Sequence, residues 1–199
     1  MEEAEYSDRT ILALKQKYRE KQSEYQTAEK EMLLGTDMVA LQREVLFNGK
    51  CSILLPDILK DMDDRERIIK YRNRNRPQVI KTDREGDASM TFSLLSITEE
   101  DEKEGVRERL GRIRDNMQKV WKQNVFYDKG VEEAGGTTVA WMDFKAFCLD
   151  GSLYSLFFLF RAGDEEVLGN FHCSFPLYDR WKPAVLKLLA TIETERQEG

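Results

Sequence analysis

Hydrophobic positions along the chain alternate between a helical and a strand period, and each change marks an element. From Ser7 onward, Ile11, Leu14, Tyr18, Tyr25, Ala28 and Met32 recur at spacings near three and four, interrupted by Lys21. That spacing predicts an amphipathic helix over 7–33, capped by Ser7 and stopped at Gly35. Thr36 to Leu41 reads as a connector or a last helical turn. Asn48-Gly49 then lies between Val45-Leu46-Phe47 and Ile53-Leu54-Leu55, and Asn-Gly tolerates the positive φ of a type I′ hairpin turn. Pro56 has no N–H and stops the second strand, and Asp57 caps a short turn that tucks Ile58, Leu59 and Met62 under the sheet. Ile68 to Tyr71, Val79 to Lys81 and Met90 to Leu94 read as three further short strands.

Thr98, followed by Glu99, Glu100, Asp101 and Glu102, opens a second helix, since carboxylates in a first turn meet the positive end of the helix dipole. Val106, Leu110, Ile113, Met117, Val120 and Trp121 place its apolar face against a sheet. The acidic run lacks the alternating oxygen ligands and central glycine of a calcium loop and reads as a solvated helix start. From Asn124 the period returns to two. Val125, Tyr127 and Val131 alternate, Gly135-Gly136 turns the chain, Val139 to Phe147 forms a strand, and Asp150-Gly151 marks another hairpin. The unbroken run Tyr154 to Phe160 predicts a central strand buried on both faces, which requires cover on both sides. Gly163-Asp164 turns into Val167 to Phe175. A closing helix after Pro176 then buries Trp181, Val185, Leu188, Leu189 and Ile192. The predicted class is α+β, a mainly antiparallel sheet flanked by helices on both faces. Residues 1–41 form an added amphipathic helix with its connector, and 42–199 the α+β domain.

With 199 residues and 41% hydrophobic content, the chain can bury a real core. The net charge of −6 argues against general binding of nucleic acid through its phosphates. Cys51, Cys148 and Cys173 are odd in number and lack C-x-x-C spacing, so they read as small apolar fillers of a reduced protein. The start MEEAEYSDRT has neither the basic residues nor the apolar run of a signal peptide, and no stretch is long enough to enter a bilayer as a helix. A cytoplasmic location is expected.

The hairpin ending in Leu-Pro, the turn ending Asp61-Met62, the segment ending in Tyr71 and the run Arg76-Pro77-Gln78-Val79-Ile80-Lys81-Thr82 together resemble bacterial members of the PsbP-like superfamily. Trp141 to Phe144, Tyr154 to Phe158, Gly169-Asn170-Phe171-His172-Cys173 and Trp181-Lys182 resemble the second half of those proteins. The resemblance runs from about Val45 to Ile192, and most of these residues belong to strands and turns. It implies an α/β/α sandwich shared with a photosystem accessory protein, a Ran-binding nuclear import factor and DcrB. It also implies binding in place of catalysis: an adaptor or a chaperone for another bacterial protein, such as a secreted effector.

The residues themselves offer little chemistry. The one histidine, His172, stands beside Cys173 in a predicted strand, where neighbours face opposite ways and no dyad can form. No metal-ligand spacing or phosphate-binding glycine loop is present, so no cofactor is expected. A small-molecule or lipid-binding domain would need a sizeable apolar cavity between sheet and helix, and an enzyme would need convergent polar groups in a cleft. Between Arg65 and Arg84, however, eight basic residues face two acids, Glu66 and Asp83, a local balance of +6. If 72–76 is extended, Arg72, Arg74 and Arg76 form a one-sided comb of guanidinium forks suited to an acidic surface on another protein. The alternative is a solvated, charged sheet edge that prevents aggregation. The thin heptad-like stripe of the first helix would allow a weak homodimer, or packing on its own domain.

Overall fold

The computed structural model describes residues 30–73, 75–149 and 151–195, in which the strands of two antiparallel sheets are the prevailing structure. The smaller sheet has the order β1-β2-β3-β11, formed by Glu31–Leu34, Asp37–Leu46, Cys51–Pro56 and Glu193–Thr194. The larger has the order β4-β5-β6-β10-β9-β8-β7. Its strands are β4 (Lys60–Asp61), β5 (Val79–Thr82), β6 (Ala88–Ser96), β7 (Val125–Ala134), β8 (Thr137–Cys148), β9 (Gly151–Ala162) and β10 (Glu165–Ser174). Four helices accompany them among the described residues: α1 (Asp64–Lys70), α2 (Glu99–Glu102), α3 (Val106–Val120) and α4 (Tyr178–Leu189).

The inner face of the large sheet meets the small sheet and α4 in one core. Phe92, Leu156, Phe158, Phe160 and Phe171 of the large sheet pack with Leu34, Ile53 and Leu55 of the small one and with Trp181, Val185 and Leu188 of α4. On the outer face a smaller cluster joins Val106, Leu110 and Met117 of α3 to Met142, Phe144 and Leu159. Strand β9 lies between β10 and β8 and is covered on both sides, as its apolar run predicts. The expected α+β sandwich with cover on both faces is therefore found. Two close approaches depend on glycine. A Cβ on Gly169 would meet the Phe158 ring at 1.9 Å, and one on Gly130 would meet the Trp141 ring at 2.7 Å. Each glycine lies opposite that aromatic residue on the neighbouring strand.

Several local expectations change. The helix expected over 7–33 lies outside the described residues up to residue 29, and its stated end is a strand. Met32 and Leu34 point into the core while Leu33 between them does not. Gly35, at φ +67°, opens a two-residue turn, because Leu34 pairs with Asp37. A positive-φ glycine serves a helix end and a hairpin equally, so the stop signal was ambiguous. Thr36 to Leu41, expected as a connector, leads into and belongs to β2, and the boundary drawn between 41 and 42 falls within that strand. The β2–β3 hairpin forms, but its connection is residues 47–50. Leu46 pairs with Cys51, and Phe47, Asn48 and Gly49 all have positive φ, so it is longer than a two-residue type I′ turn.

Ile68 to Tyr71 is not a strand. Asp63 accepts a hydrogen bond from the backbone N–H of Arg65 and starts α1, with Asp64 and Glu66 in the first turn and Arg67 and Lys70 in the last. These charges favour a helix strongly enough to override the β-branched pair Ile68-Ile69. After β3, Leu59 and Met62 are buried as expected, whereas Ile58 is exposed. The helix expected from Thr98 is two helices. Thr98 and Asp101 close a capping box on α2, and Gly105 begins α3 afresh. Its apolar stripe ends early, for Val120 and Trp121 are exposed.

Candidate functional site

Of the three arginines expected as a comb, Arg72 and Arg76 are among the described residues, and neither lies in a strand. Residues 71–73 and 75–78 lie outside helix and strand, and Asn73 Oδ1 accepts from the Asn75 backbone N–H at 3.0 Å. Arg72 is exposed and its Nε donates to the Ile69 carbonyl at 3.4 Å. Arg76 is exposed without a partner among the described residues, and Arg74 lies outside them. Three other cations of the stretch serve the fold. Arg67 donates to the carbonyls of Pro77 and Gln78, which ties the loop's end to α1. Lys70 donates to the Gly86 carbonyl and to Ser89 Oγ. Lys81 is buried and pairs with Glu44 at 2.7 Å and Asp61 at 3.1 Å. The apolar partners of the stretch, Ile68 and Ile69, stand 60% and 67% exposed beside the arginine loop. A β-branched pair on the open side of a short helix was legible in the sequence only as a strand.

Nearby, Tyr71 and His172 bring their hydroxyl and Nε2 within 3.4 Å, and Lys70, Ser89 and Thr82 complete a polar group on the outer face. Burial holds His172 down at about 4, with the Lys70 charge adding to it, and its Nδ1 is buried without a partner. Burial also pushes Tyr71 up to about 12 and Lys70 downward. A lysine beside a serine has the makings of a nucleophile. Ser89 is fully buried, however, shares its hydroxyl with Thr82 at 3.0 Å, and sits at the start of β6 with β5 on one side and β10 on the other, where no substrate carbonyl reaches it. The group positions α1 and its loop. Cys173 points into the inner core, away from His172, as strand alternation requires. Burial raises the thiols of Cys51 and Cys173 to about 11 and about 12, which leaves them protonated and inert. Cys148 is exposed at the end of β8, so it fills no core. Among the described residues no three of His, Cys, Asp and Glu are grouped to hold a metal.

Two ionic clamps escaped the sequence reading. Under α4, the fully buried Asp143 accepts from Tyr154 Oη at 2.9 Å and from the Asp128 backbone N–H at 2.7 Å, and pairs with Lys182 at 2.7 Å. Burial alone would pull Lys182 down, but its hydrogen bonds to Asp128 and Asp143 outweigh this and hold it raised. Under α3, the fully buried Glu166 pairs with Arg109, which also pairs with Asp101. Arg112 reaches Asp101 and Glu104 from the same helix, and Arg161 donates to the carbonyls of Asp101, Glu102 and Glu104. Asp101 is thus buried in a network, not solvated as expected. The hydrogen bond from Thr98, with Arg112 and Arg109 beside it, holds its carboxyl down at about 2. Asp143, a lone acid inside an apolar strand, hinted at the first clamp, whereas Glu166 follows Asp164 and Glu165 and reads as part of a charged turn.

No family model and no curated protein matches the chain. Among solved structures it is similar to the solution structure of cyanobacterial PsbP (CyanoP) from Synechocystis sp. PCC 6803, with a TM-score of 0.57 and 13% identity over 81% of this chain and 96% of that one. A crystal structure from Bacteroides thetaiotaomicron VPI-5482 is similar with a TM-score of 0.54 and 9% identity, over 79% of this chain and 50% of that one. The chain therefore spans about half of the Bacteroides protein. At these identities the likeness is one of fold.

Proposed function

Proceeding from the PsbP-like fold of this chain, we propose that it is a non-catalytic module that binds another protein, and that the docking surface is α1 with the loop after it. The observation that carries this is the exposed pair Ile68-Ile69 beside Arg72 and Arg76. Apolar side chains open to water next to guanidinium forks combine an exposed apolar patch with arginine, a residue enriched at interfaces. The forks suit carboxylates on the partner, in keeping with a positive patch on a chain whose net charge is −6. The finer reading, an adaptor or chaperone of a bacterial cytoplasmic protein such as a secreted effector, follows the family resemblance and belongs to this proposal. The test is capture from the host with the native chain, identification of the partner, and titration of that partner against two variants. Replacing Arg72, Arg74 and Arg76 by Gln is expected to weaken binding at least tenfold and to flatten its salt dependence, with the fold intact. Replacing Ile68 and Ile69 by Ser is expected to weaken it without changing the salt slope. Unchanged affinity in both folded variants would refute the assignment.

A further inference from the structure

Toward the opposite edge of the large sheet, a groove of about 250 Å³ runs between α3 and the hairpin β7–β8. Register places its sheet side. Lys129 pairs with Met142 and Val131 with Ala140, and cross-strand partners share a face, here the one α3 covers. The helix contributes Leu110 and Gly111, flanked by Arg107 and Arg114 seven residues apart on one side of α3. Leu110, Ala140 and Met142 are buried and form an apolar floor.

The groove exists because a side chain is missing. A Cβ on Gly111 would meet nothing within 4 Å, so the helix leaves room there, although glycine inside a helix weakens it relative to alanine. Its electrostatics are one-sided. Arg107, Arg114 and Lys129 line it and no acid does. Arg114 sits over the Phe126 ring at 5.4 Å, while Arg107 and Lys129 have no anionic partner among the described residues. An apolar floor under a cationic rim favours a ligand with an apolar body and an anionic end. The volume, just below the range of roughly 300–1,000 Å³ typical of ligand pockets, favours a small one.

We propose that this groove binds a medium-chain fatty acid, with the chain over Leu110, Ala140 and Met142 and the carboxylate at Arg107 and Lys129. It is independent of the α1 docking surface. The test is an NMR titration of the full chain with octanoate, followed at the Met142 methyl and the Gly111 and Gly130 amides, with octanol as the uncharged control. Saturable shifts confined to these signals, at least tenfold tighter for octanoate than for octanol, are expected. Replacing Arg107 and Lys129 together by Gln, both exposed and outside the core, should remove that preference and leave the octanol response unchanged. Gly111→Leu should fill the groove and abolish both responses. Absent shifts, equal affinity for octanol and octanoate, or binding that survives Gly111→Leu in a folded chain would each overturn the proposal. So would concentration-dependent changes at Gly111 and Gly130 without ligand, which would assign the groove to a second copy of the chain.

Discussion

Each face of the large sheet buries one acid against a cation from the helix that covers it, yet the two clamps are built differently. On the inner face Asp143 has three partners, a hydroxyl, a backbone N–H and Lys182, so its oxygens are satisfied in place. On the outer face Glu166 pairs with Arg109, neither of its oxygens has a well-aligned hydrogen bond among the described residues, and burial raises its carboxyl against the pull of Arg109 and Arg161. The inner clamp lies within a continuous core that includes a whole second sheet. The outer one pins the first half of α3, the same half that lines the groove with Arg107, Leu110 and Gly111, while Val120 and Trp121 at the far end are exposed. The inner face thus holds the fold together, and the outer side carries both candidate binding surfaces.

The largest effect separating the faces is expected at Asp143. Asp143→Ala leaves Tyr154 Oη buried without its acceptor and Lys182 short of one anion, and should cost ~3–5 kcal/mol, the range for breaking a buried pair. Chemical denaturation measures it, and a loss no larger than that at an exposed pair would erase the distinction. Gly169→Ala follows. Its Cβ collides with the fully buried Phe158 ring, for a loss near the upper end of the ~1–3 kcal/mol of overpacking. Removing residues 1–35 takes away β1 with Met32 and Leu34 and should leave an aggregating product, since the inner core then opens. A folded, monomeric truncation would show that β1 is dispensable.

The outer face should also be the acid-sensitive one. His172 titrates at about 4 in the folded chain against an ordinary 6.5, so the unfolded chain takes up the proton first. Its contribution is complete above 6.5 and is lost as pH falls toward 4, by at most about 3 kcal/mol at ~1.4 kcal/mol per unit. Asp101, held at about 2 against an ordinary 3.8, adds a further loss below that window, as pH falls from 3.8 toward 2. Unfolding measured from pH 7 to 4 should slope downward in the native chain and flatten in His172→Gln. The same slope in both would remove the histidine from the account. The smallest effect, with opposite sign, is Gly111→Ala, which should stabilise α3 by ~0.5–1 kcal/mol because the groove is open there.

Much of this was legible in the residues. The positions of β5 to β10, the buried face of α4 and the central place of β9 follow from period and turn chemistry, which act between neighbours in sequence. Ile68-Ile69 misled because a β-branched pair is read as a strand unless the capping charges around it are weighed together. In the basic stretch Asn73 offers its side chain to the backbone two residues on, a local contact that a reading by period does not weigh. Cys148 shows the limit of composition, as an exposed cysteine at a strand end has the same letter as a buried one.

What the sequence determined alone is the antiparallel α+β sandwich and the run of its strands, because hydrophobic period and turn residues are properties of adjacent positions. Only the tertiary structure decided that the first hairpin leaves the large sheet to build a second one with the C-terminal strand, that Asp143 and Glu166 find their cations on opposite helices, and that Arg107 and Lys129 share a groove. Those pairings join residues 22 to 143 positions apart, and a local pattern carries no record of what a distant segment will bring to a shared face.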